Sequence, residues 1–399
     1  MNRAMIITVG LGEEASSTIL FSIKKQNPVM VLFIYTDESK SNLDSLLPHL
    51  QNEPIKIETR KHNEIDDIEK IAMKYSKFIQ ELKEKSFSSS DIIADYSSGT
   101  KPMAAALVYS AIEHNIESIS YVYGTRDAKG KVKKKSERIH SISPNAFYTD
   151  RKMDQAIHFF NNHQYSSAIE IVDSISSIHP DYEEKVSVFK KYSELYMEWE
   201  HFNFENAFTI LNTVSKNKLS NDLFKKKLIE EHKTTLYKLQ MTKDACEEMV
   251  FDLYSNAYRR IQEGKYDDAV ARLYRCLEMI GQVAIFQKYD IKNDKFPYSK
   301  IPKNLKIHFK SKKNKDNTVK MSLLETFQIL KEISHPISKK FFEREGEIKK
   351  LLHVRNHSIL AHGIKPITQK KAEDLFTILA EVFDLKCTTK FPKIEFSFI

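Results

Sequence analysis

The sequence predicts an α/β, Rossmann-like domain over residues 1–150 followed by helical structure to the end, and three observations carry this. Short β-branched runs alternate with helical patterns in the first 150 residues, which implies crossover connections and a mostly parallel sheet. After about Asn145 strand-like runs almost vanish while helical periodicity continues. Only 9 Gly and 11 Pro among 399 residues argue against an all-β, turn-rich architecture. A hydrophobic fraction of 41% with 11% aromatics is enough for buried cores and excludes wholesale disorder. The length suggests two or three domains at roughly 100–200 residues each.

Met5–Val9 (MIITV) and Val29–Tyr35 (VMVLFIY) are continuous, apolar and short, as buried strands are. Between them Ser16–Lys25 reads as a helix with small polar residues at its start. Ile55–Thr59 is the third strand. Over 64–85 the spacing of Ile68, Ile71, Ala72, Tyr75, Phe78, Ile79 and Leu82 predicts an amphipathic helix. Asp91–Tyr96 is the next strand, Thr100–His114 the next helix and Ser118–Tyr123 a further strand.

In the helical part an aromatic precedes an alanine by three residues in three places: Tyr165 and Ala168, Phe204 and Ala207, Tyr266 and Ala269. Small alanine allows close helix approach, and the aromatic fills the turn of an αα-hairpin. The aromatics are 39 and then 62 residues apart, so this is no regular solenoid. The reading is a helical-hairpin bridge over 151–245 and a separate helical domain over 246–399. Within the latter, 291–320 holds Pro297, Pro302 and many lysines and reads as a loop-rich insertion.

Three scattered cysteines, Cys246, Cys276 and Cys387, exclude a disulfide scaffold and offer no metal-ligand spacing. The run Val29–Tyr35 is far short of the ~20 residues a membrane helix needs, and Met5–Val9 followed by Glu13-Glu14 makes no secretory signal. The expectation is a cytoplasmic protein without membrane association and without a metal or organic cofactor. Lys+Arg total 62 and Asp+Glu 54, a net charge of +8. Residues 287–320 alone hold eleven lysines and three aspartates, so the excess sits in the insertion and the rest of the chain is formally neutral. That insertion reads as a solvated lysine loop or as an RNA-guiding patch.

Two turns at strand ends carry candidate chemistry. In Thr8-Val9-Gly10-Leu11-Gly12 the glycines permit a tight turn and close backbone approach, ahead of a helix N-terminus. The full dinucleotide fingerprint is missing, and Glu13 and Glu14 would face a pyrophosphate badly. In Asp95-Tyr96-Ser97-Ser98-Gly99-Thr100-Lys101-Pro102-Met103, Ser97, Ser98 and Thr100 supply hydroxyls, Gly99 backbone N–H groups, and Lys101 a positive charge. That is a phosphate-binding assembly at the carboxyl end of a parallel sheet, although Ser or Thr with Pro in the first turn is also an ordinary helix cap.

DYSSGTKPM closely resembles the D-Y-T-G-G-T-K-x-M signature of the CARF domain, the CRISPR-associated Rossmann fold, and TVGLG resembles that family's first ligand-binding turn. The resemblance implies a dimer that binds cyclic oligoadenylate, tetra- or hexa-adenylate, as an allosteric activator. It assigns Thr8, Gly10, Gly12, Ser97, Ser98, Gly99, Thr100 and Lys101 to that ligand. Ser98 departs from the family's usual glycine. Lys101 with the hydroxyls of Thr8, Ser97 and Ser98 also suggests slow cleavage of the activator itself, a ring-nuclease activity.

Near the other end stands Leu351-Leu352-His353-Val354-Arg355-Asn356-His357-Ser358-Ile359-Leu360-Ala361-His362-Gly363. If helical, Arg355 and His362 lie about two turns apart on one face, with Gly363 as the helix stop. A guanidinium that binds a scissile phosphate and an imidazole that exchanges protons suit metal-free RNA cleavage, although such a pair is commonly a solvated face. RNHSILAH resembles the R-x(4–6)-H motif of HEPN ribonucleases, and residues 264–278 resemble early HEPN helices that pack beside it. The resemblance implies Arg355, Asn356 and His362 as catalytic residues; His357 is a rival at the wrong spacing, His353 structural or solvated, and Cys276 core.

CARF, an all-α bridge and an all-α HEPN domain in that order resemble the auxiliary ribonucleases of type III CRISPR systems. The implied activity is cyclic-oligoadenylate-activated cleavage of single-stranded RNA by 2′-OH attack, without metal, leaving a 2′,3′-cyclic phosphate. One motif per chain implies a homodimer. The alternative is a non-catalytic oligoadenylate sensor whose HEPN-like domain dimerises and recruits a partner.

Overall fold

The computed structural model describes residues 2–12, 14–125, 135–175, 177–242, 244–359 and 363–395. The chain forms two compact units, one from the described residues of 1–154 and 173–184, the other from those of 155–172 and 185–396.

The first unit is built on strands β1 (Ala4–Thr8), β2 (Met30–Tyr35), β3 (Lys56–Lys61), β4 (Ile92–Asp95), β5 (Ser118–Tyr123) and β6 (Arg138–Ile142) in the order β3-β2-β1-β4-β5-β6. The first five run parallel and β6 is antiparallel to β5. Alternate side chains of each buried strand face opposite layers. Ala4, Ile6, Leu32, Ile34 and Ala94 meet helices α3 (Ile68–Glu84) and α4 (Lys101–Glu113). Met5, Ile7, Val31, Phe33 and Ile93 meet α1 (Ala15–Gln26) and α2 (Lys40–Leu46). The expected strands and helices are all present, with ends moved by a few residues. β6 is additional: it lies at a sheet edge, mostly exposed, and RIHSI carries no apolar run that would mark it.

Helices α5 (Asn145–Asn161), α6 (Tyr165–Asp173), α7 (Glu183–Glu200), α8 (Phe204–Val214), α9 (Ser220–Leu223) and α10 (Lys226–Met241) follow. Next come α11 (Glu247–Gln262), α12 (Tyr266–Tyr289), α13 (Lys306–Phe309), α14 (Leu323–Glu332), α15 (Pro336–Glu343), α16 (Glu345–Asn356) and α17 (Gln369–Phe383), with a short ribbon of β7 (Phe296–Pro297) and β8 (Thr318–Val319).

The three aromatic–alanine echoes are one turn used three times. Tyr165, Phe204 and Tyr266 each open a helix, and the residue two before each has positive φ: His163 (61°), Phe202 (62°) and Gly264 (74°). The N–H that follows reaches back to the preceding helix, from Gln164 to Phe159, Asn203 to Glu198 and Lys265 to Arg260, each at 2.9 Å. This is the Schellman closure of a helix C-terminus. Only Gly264 advertises the left-handed residue.

The lysine-rich insertion is pinned rather than loose. Phe296, Ile301, Phe309 and Val319 are buried in the core of the second unit, while its lysines, apart from half-buried Lys306, are exposed. The tail 388–395 returns across α7, α10 and α11: Phe391 contacts Tyr196, Trp199 and His232, and Arg259 lies 3.8 Å over its ring.

Candidate functional sites

The first site lies where β1 and β4 run side by side. Their following helices, α1 and α4, cover opposite faces of the sheet, so the loops after the two strands part at its carboxyl edge and leave a crevice. The loops touch backbone to backbone. A Cβ on Gly10 would stand 2.6 Å from the Gly99 nitrogen, and one on Gly99, whose φ is +102°, would stand 2.8 Å from Thr8 Oγ1. Only glycine fits at both positions.

Side chains then tie the loops. Thr8 is fully buried and its hydroxyl donates to the Ser98 carbonyl. Ser98 Oγ, 88 residues away from Gly10, accepts the Gly10 N–H at 2.9 Å. Ser97 Oγ accepts the Val122 N–H at 2.7 Å, and Ser97 N–H donates to Asp95 Oδ1 at 2.9 Å. Buried Asp95 is held in turn by the hydroxyls of Ser22 and, at 2.9 Å, Ser120. Thr100 caps α4, accepting the Met103 N–H at 3.3 Å and donating to the Ile65 carbonyl at 3.3 Å.

This changes the sequence reading of the site. The Thr8 hydroxyl and the Gly10 N–H, read as ligand contacts, are consumed by the frame, so their part is to position the loops. Ser97 and Ser98 also serve that frame, each hydroxyl accepting a backbone N–H and keeping its own proton to donate. Thr8 therefore has its hydroxyl proton engaged and its side chain buried, out of reach of a 2′-OH at the surface of the crevice. The outward-facing elements are Gly12, with open space around its Cα, the exposed Leu11, the half-buried Gly99 backbone, the N-terminus of α4 and exposed Lys101. A cation at a helix N-terminus beside a glycine loop suits an anionic ligand. Asn42, which holds the Gly10 carbonyl at 2.8 Å, escaped the sequence reading because it lies in a different helix, α2.

The second site is the end of α16. The helix stops at Asn356 instead of continuing to Gly363. The His357 N–H still reaches the His353 carbonyl at 3.2 Å, but Ser358 then pairs with Lys365 and the Gly363 N–H donates back to the Ser358 carbonyl at 3.0 Å. Gly363 therefore closes a turn against the helix end. A Cβ there would fall 1.9 Å from the His357 oxygen. Gly363→Ala is thus expected to open this turn, at about 1–3 kcal/mol, read as a lower melting temperature and faster proteolysis within 357–367.

Arg355 occupies the last turn of α16 and donates to Asn356 Oδ1 at 3.1 Å. Its guanidinium carbon lies 4.3 Å over the ring of Tyr274. Tyr274 belongs to α12, which packs on α16 as the early-helix resemblance implies. Burial raises the Tyr274 phenol above its ordinary range, and Glu278 adds to this. His353 and His357 are exposed and stack at 4.0 Å, with His357 Nδ1 donating to the His353 carbonyl at 2.9 Å. They line a cleft of about 290 Å³ with Gly363, Lys365 and Lys371. His362 lies outside the described residues. Cys276 is fully buried and burial pushes its thiol up to about 12, which suits a core role. Tyr274 was missed because only the fold brings it to Arg355.

Among the described residues no group of three or more His, Cys, Asp and Glu is arranged to hold a metal. No helix of the described residues is long and apolar enough to cross a membrane.

Residues 238–386 match the family described as the Csm6 HEPN domain, and residues 148–242 the Csm6 6H domain. Among solved structures, Enterococcus italicus Csm6 bound to cyclic hexa-2′-fluoro-hexa-dAMP is similar at a TM-score of 0.65 and 15% identity, covering 96% of this chain and 95% of that one. At that identity the likeness is one of fold. A type III CRISPR defence DNA nuclease activated by cyclic oligoadenylate reaches a TM-score of 0.28 at 10% identity, over 49% of this chain and 34% of that one. Can2 from Sulfobacillus thermosulfidooxidans in complex with cyclic tetra-adenylate reaches 0.26 at 10% identity, over 50% of this chain and 66% of that one. These two are too distant to carry an argument. No curated protein matches.

Proposed function

The chain is a Csm6-like CARF–HEPN protein, and from that premise we propose that it is a ribonuclease of type III CRISPR defence, switched on by cyclic oligoadenylate. The observation that carries the reading is Arg355-Asn356 at the end of α16, inside the stretch that matches the Csm6 HEPN domain. In functional parts, 1–150 senses the ligand, 151–245 bridges and 246–399 cleaves.

The proposed reaction needs no metal. The 2′-OH of a ribose attacks the adjacent phosphorus, the bond to O5′ breaks, and a 2′,3′-cyclic phosphate and a 5′-OH remain. A base takes the 2′-OH proton and an acid returns one to O5′. Arg355 binds the non-bridging oxygens, where negative charge builds in the transition state. Asn356, with its Oδ1 held by Arg355, has its NH₂ left to donate to phosphate or ribose. His362 is assigned the proton exchange. One chain brings a single copy of this set, and a homodimer pairs two across its axis.

The activator reading is supported by the crevice between the β1 and β4 loops, with Gly12, Gly99 and Lys101 at its outer surface. It is further supported by the ligand of the Enterococcus italicus Csm6 complex. Binding there biases the pairing of the two nuclease motifs, a coupling between separate sites.

The test is a panel: purified protein, fluorescent single-stranded RNA and each of several cyclic oligoadenylates, with and without EDTA. Cleavage with one ring size, unaffected by EDTA, is expected. Absence of cleavage with every ring, alongside measurable oligoadenylate binding, would instead establish the non-catalytic sensor. Strict dependence on Mg²⁺ would defeat the proposed chemistry.

A further inference from the structure

We propose that Tyr274 is a positioning residue for Arg355, holding its guanidinium by the ring face so that its full charge stays available to a phosphate. This rests on the catalytic reading of Arg355 given above.

The contrast with the other arginines of the second unit carries the argument. Arg259 and Arg260 both pair with Glu200, Arg272 with Asp268, Arg275 with Glu278, and Arg344 with Glu347 and Glu381. Among the described residues of that unit, Arg355 is the one arginine without a carboxylate partner. It is not short of acids nearby: Glu278 lies one turn along α12 from Tyr274, but is turned to Arg275 at 3.3 Å.

A carboxylate on Arg355 would fix it equally well. It would also occupy the N–H groups that recognise phosphate and cancel the charge they bring. A ring face does neither. The quadrupole attracts the cation at the ring face, with the guanidinium carbon 4.3 Å from the ring centre, and offers no oxygen to engage the N–H groups as a carboxylate would. Arginine suits such a seat because it is planar and weakly hydrated. The second anchor runs from an Arg355 terminal nitrogen to Asn356 Oδ1 at 3.1 Å. Ring and amide together hold the guanidinium at two points. The half-buried phenol of Tyr274, its ionisation shifted upward by burial, stays neutral when the enzyme works near neutral pH.

The ring is the working part, so Tyr274→Phe is expected to keep cleavage within about twofold. Tyr274→Leu keeps apolar bulk but loses the quadrupole, and its kcat is expected to fall on the order of tenfold, with oligoadenylate affinity unchanged. A second readout is independent of turnover. In the full-length protein, the Arg355 side-chain NMR resonance is expected to sit upfield in wild type and Tyr274→Phe, under the ring, and to move downfield in Tyr274→Leu. A Tyr274→Leu protein with wild-type kcat and an unmoved Arg355 signal overturns the proposal, as does equal loss in the Phe and Leu variants. Wild-type cleavage by Arg355→Ala would be a different failure, that of the catalytic assignment itself.

Discussion

In an activated cleavage assay, Arg355→Ala is expected to lose on the order of a hundred- to a thousandfold in rate, with oligoadenylate binding and melting temperature close to wild type. The loss is large because the guanidinium binds the non-bridging oxygens, where negative charge builds in the transition state. Stability is spared for a local reason. Arg355 is half-buried in the last turn of its helix, and its described contacts are a neighbouring amide and a ring face, so truncation leaves no buried charge behind. Arg355→Lys should recover little, since a point charge lacks the planar fork that binds two oxygens at once. His362→Ala is expected to abolish cleavage as well. Wild-type rates in both alanine variants would falsify the assignment of the motif.

Glu200→Ala is expected to show the reverse pattern, a stability defect that precedes any catalytic one. Glu200 is 5% exposed at the end of α7 and receives the guanidinium groups of Arg259 and Arg260 from α11. Asn256 Nδ2 donates to the same carboxylate at 3.2 Å, and Arg272 of α12 is bound to Asn256 Oδ1. Removing the acid leaves buried Arg259 without a carboxylate and Arg260 with Glu263 alone, 2.6 Å away, a change that costs about 3–5 kcal/mol. For a unit of this size that is a fall in melting temperature on the order of 10 °C. Thermal unfolding monitored by calorimetry reads it directly, and a shift below about 2 °C would show that Glu263, water or the Arg259–Phe391 contact already balances those charges. This cluster joins helices before and after residue 245, which belong to the same compact unit.

The elements read most surely are those whose signal lies within a few residues. VMVLFIY reads as a buried strand and the spacing of Ile68 to Leu82 as a half-buried helix, and both are found. The three aromatic–alanine turns were visible for the same reason, although two of their left-handed residues are His163 and Phe202 rather than glycine. The polar edge strand β6 had no such signal, because an exposed strand of RIHSI gains its pairing from β5 and not from its own pattern.

Residue types, order and turn chemistry were enough to single out the loop after β4 and an arginine–histidine spacing near the C-terminus as candidates. They were not enough to say what each polar group does there. Ser98 looks like a ligand hydroxyl until Gly10, 88 positions away, is found donating to it. Gly363 looks like a helix stop until its Cα is found against the His357 carbonyl. Tyr274 carries no signal of its own until Arg355 is found over its ring. Backbone periodicity is a local property and is written in neighbouring residues. The partner of a hydroxyl, an amide or a guanidinium is chosen by which distant segment the packed core brings within about 3–4 Å, and that choice exists only in the folded chain.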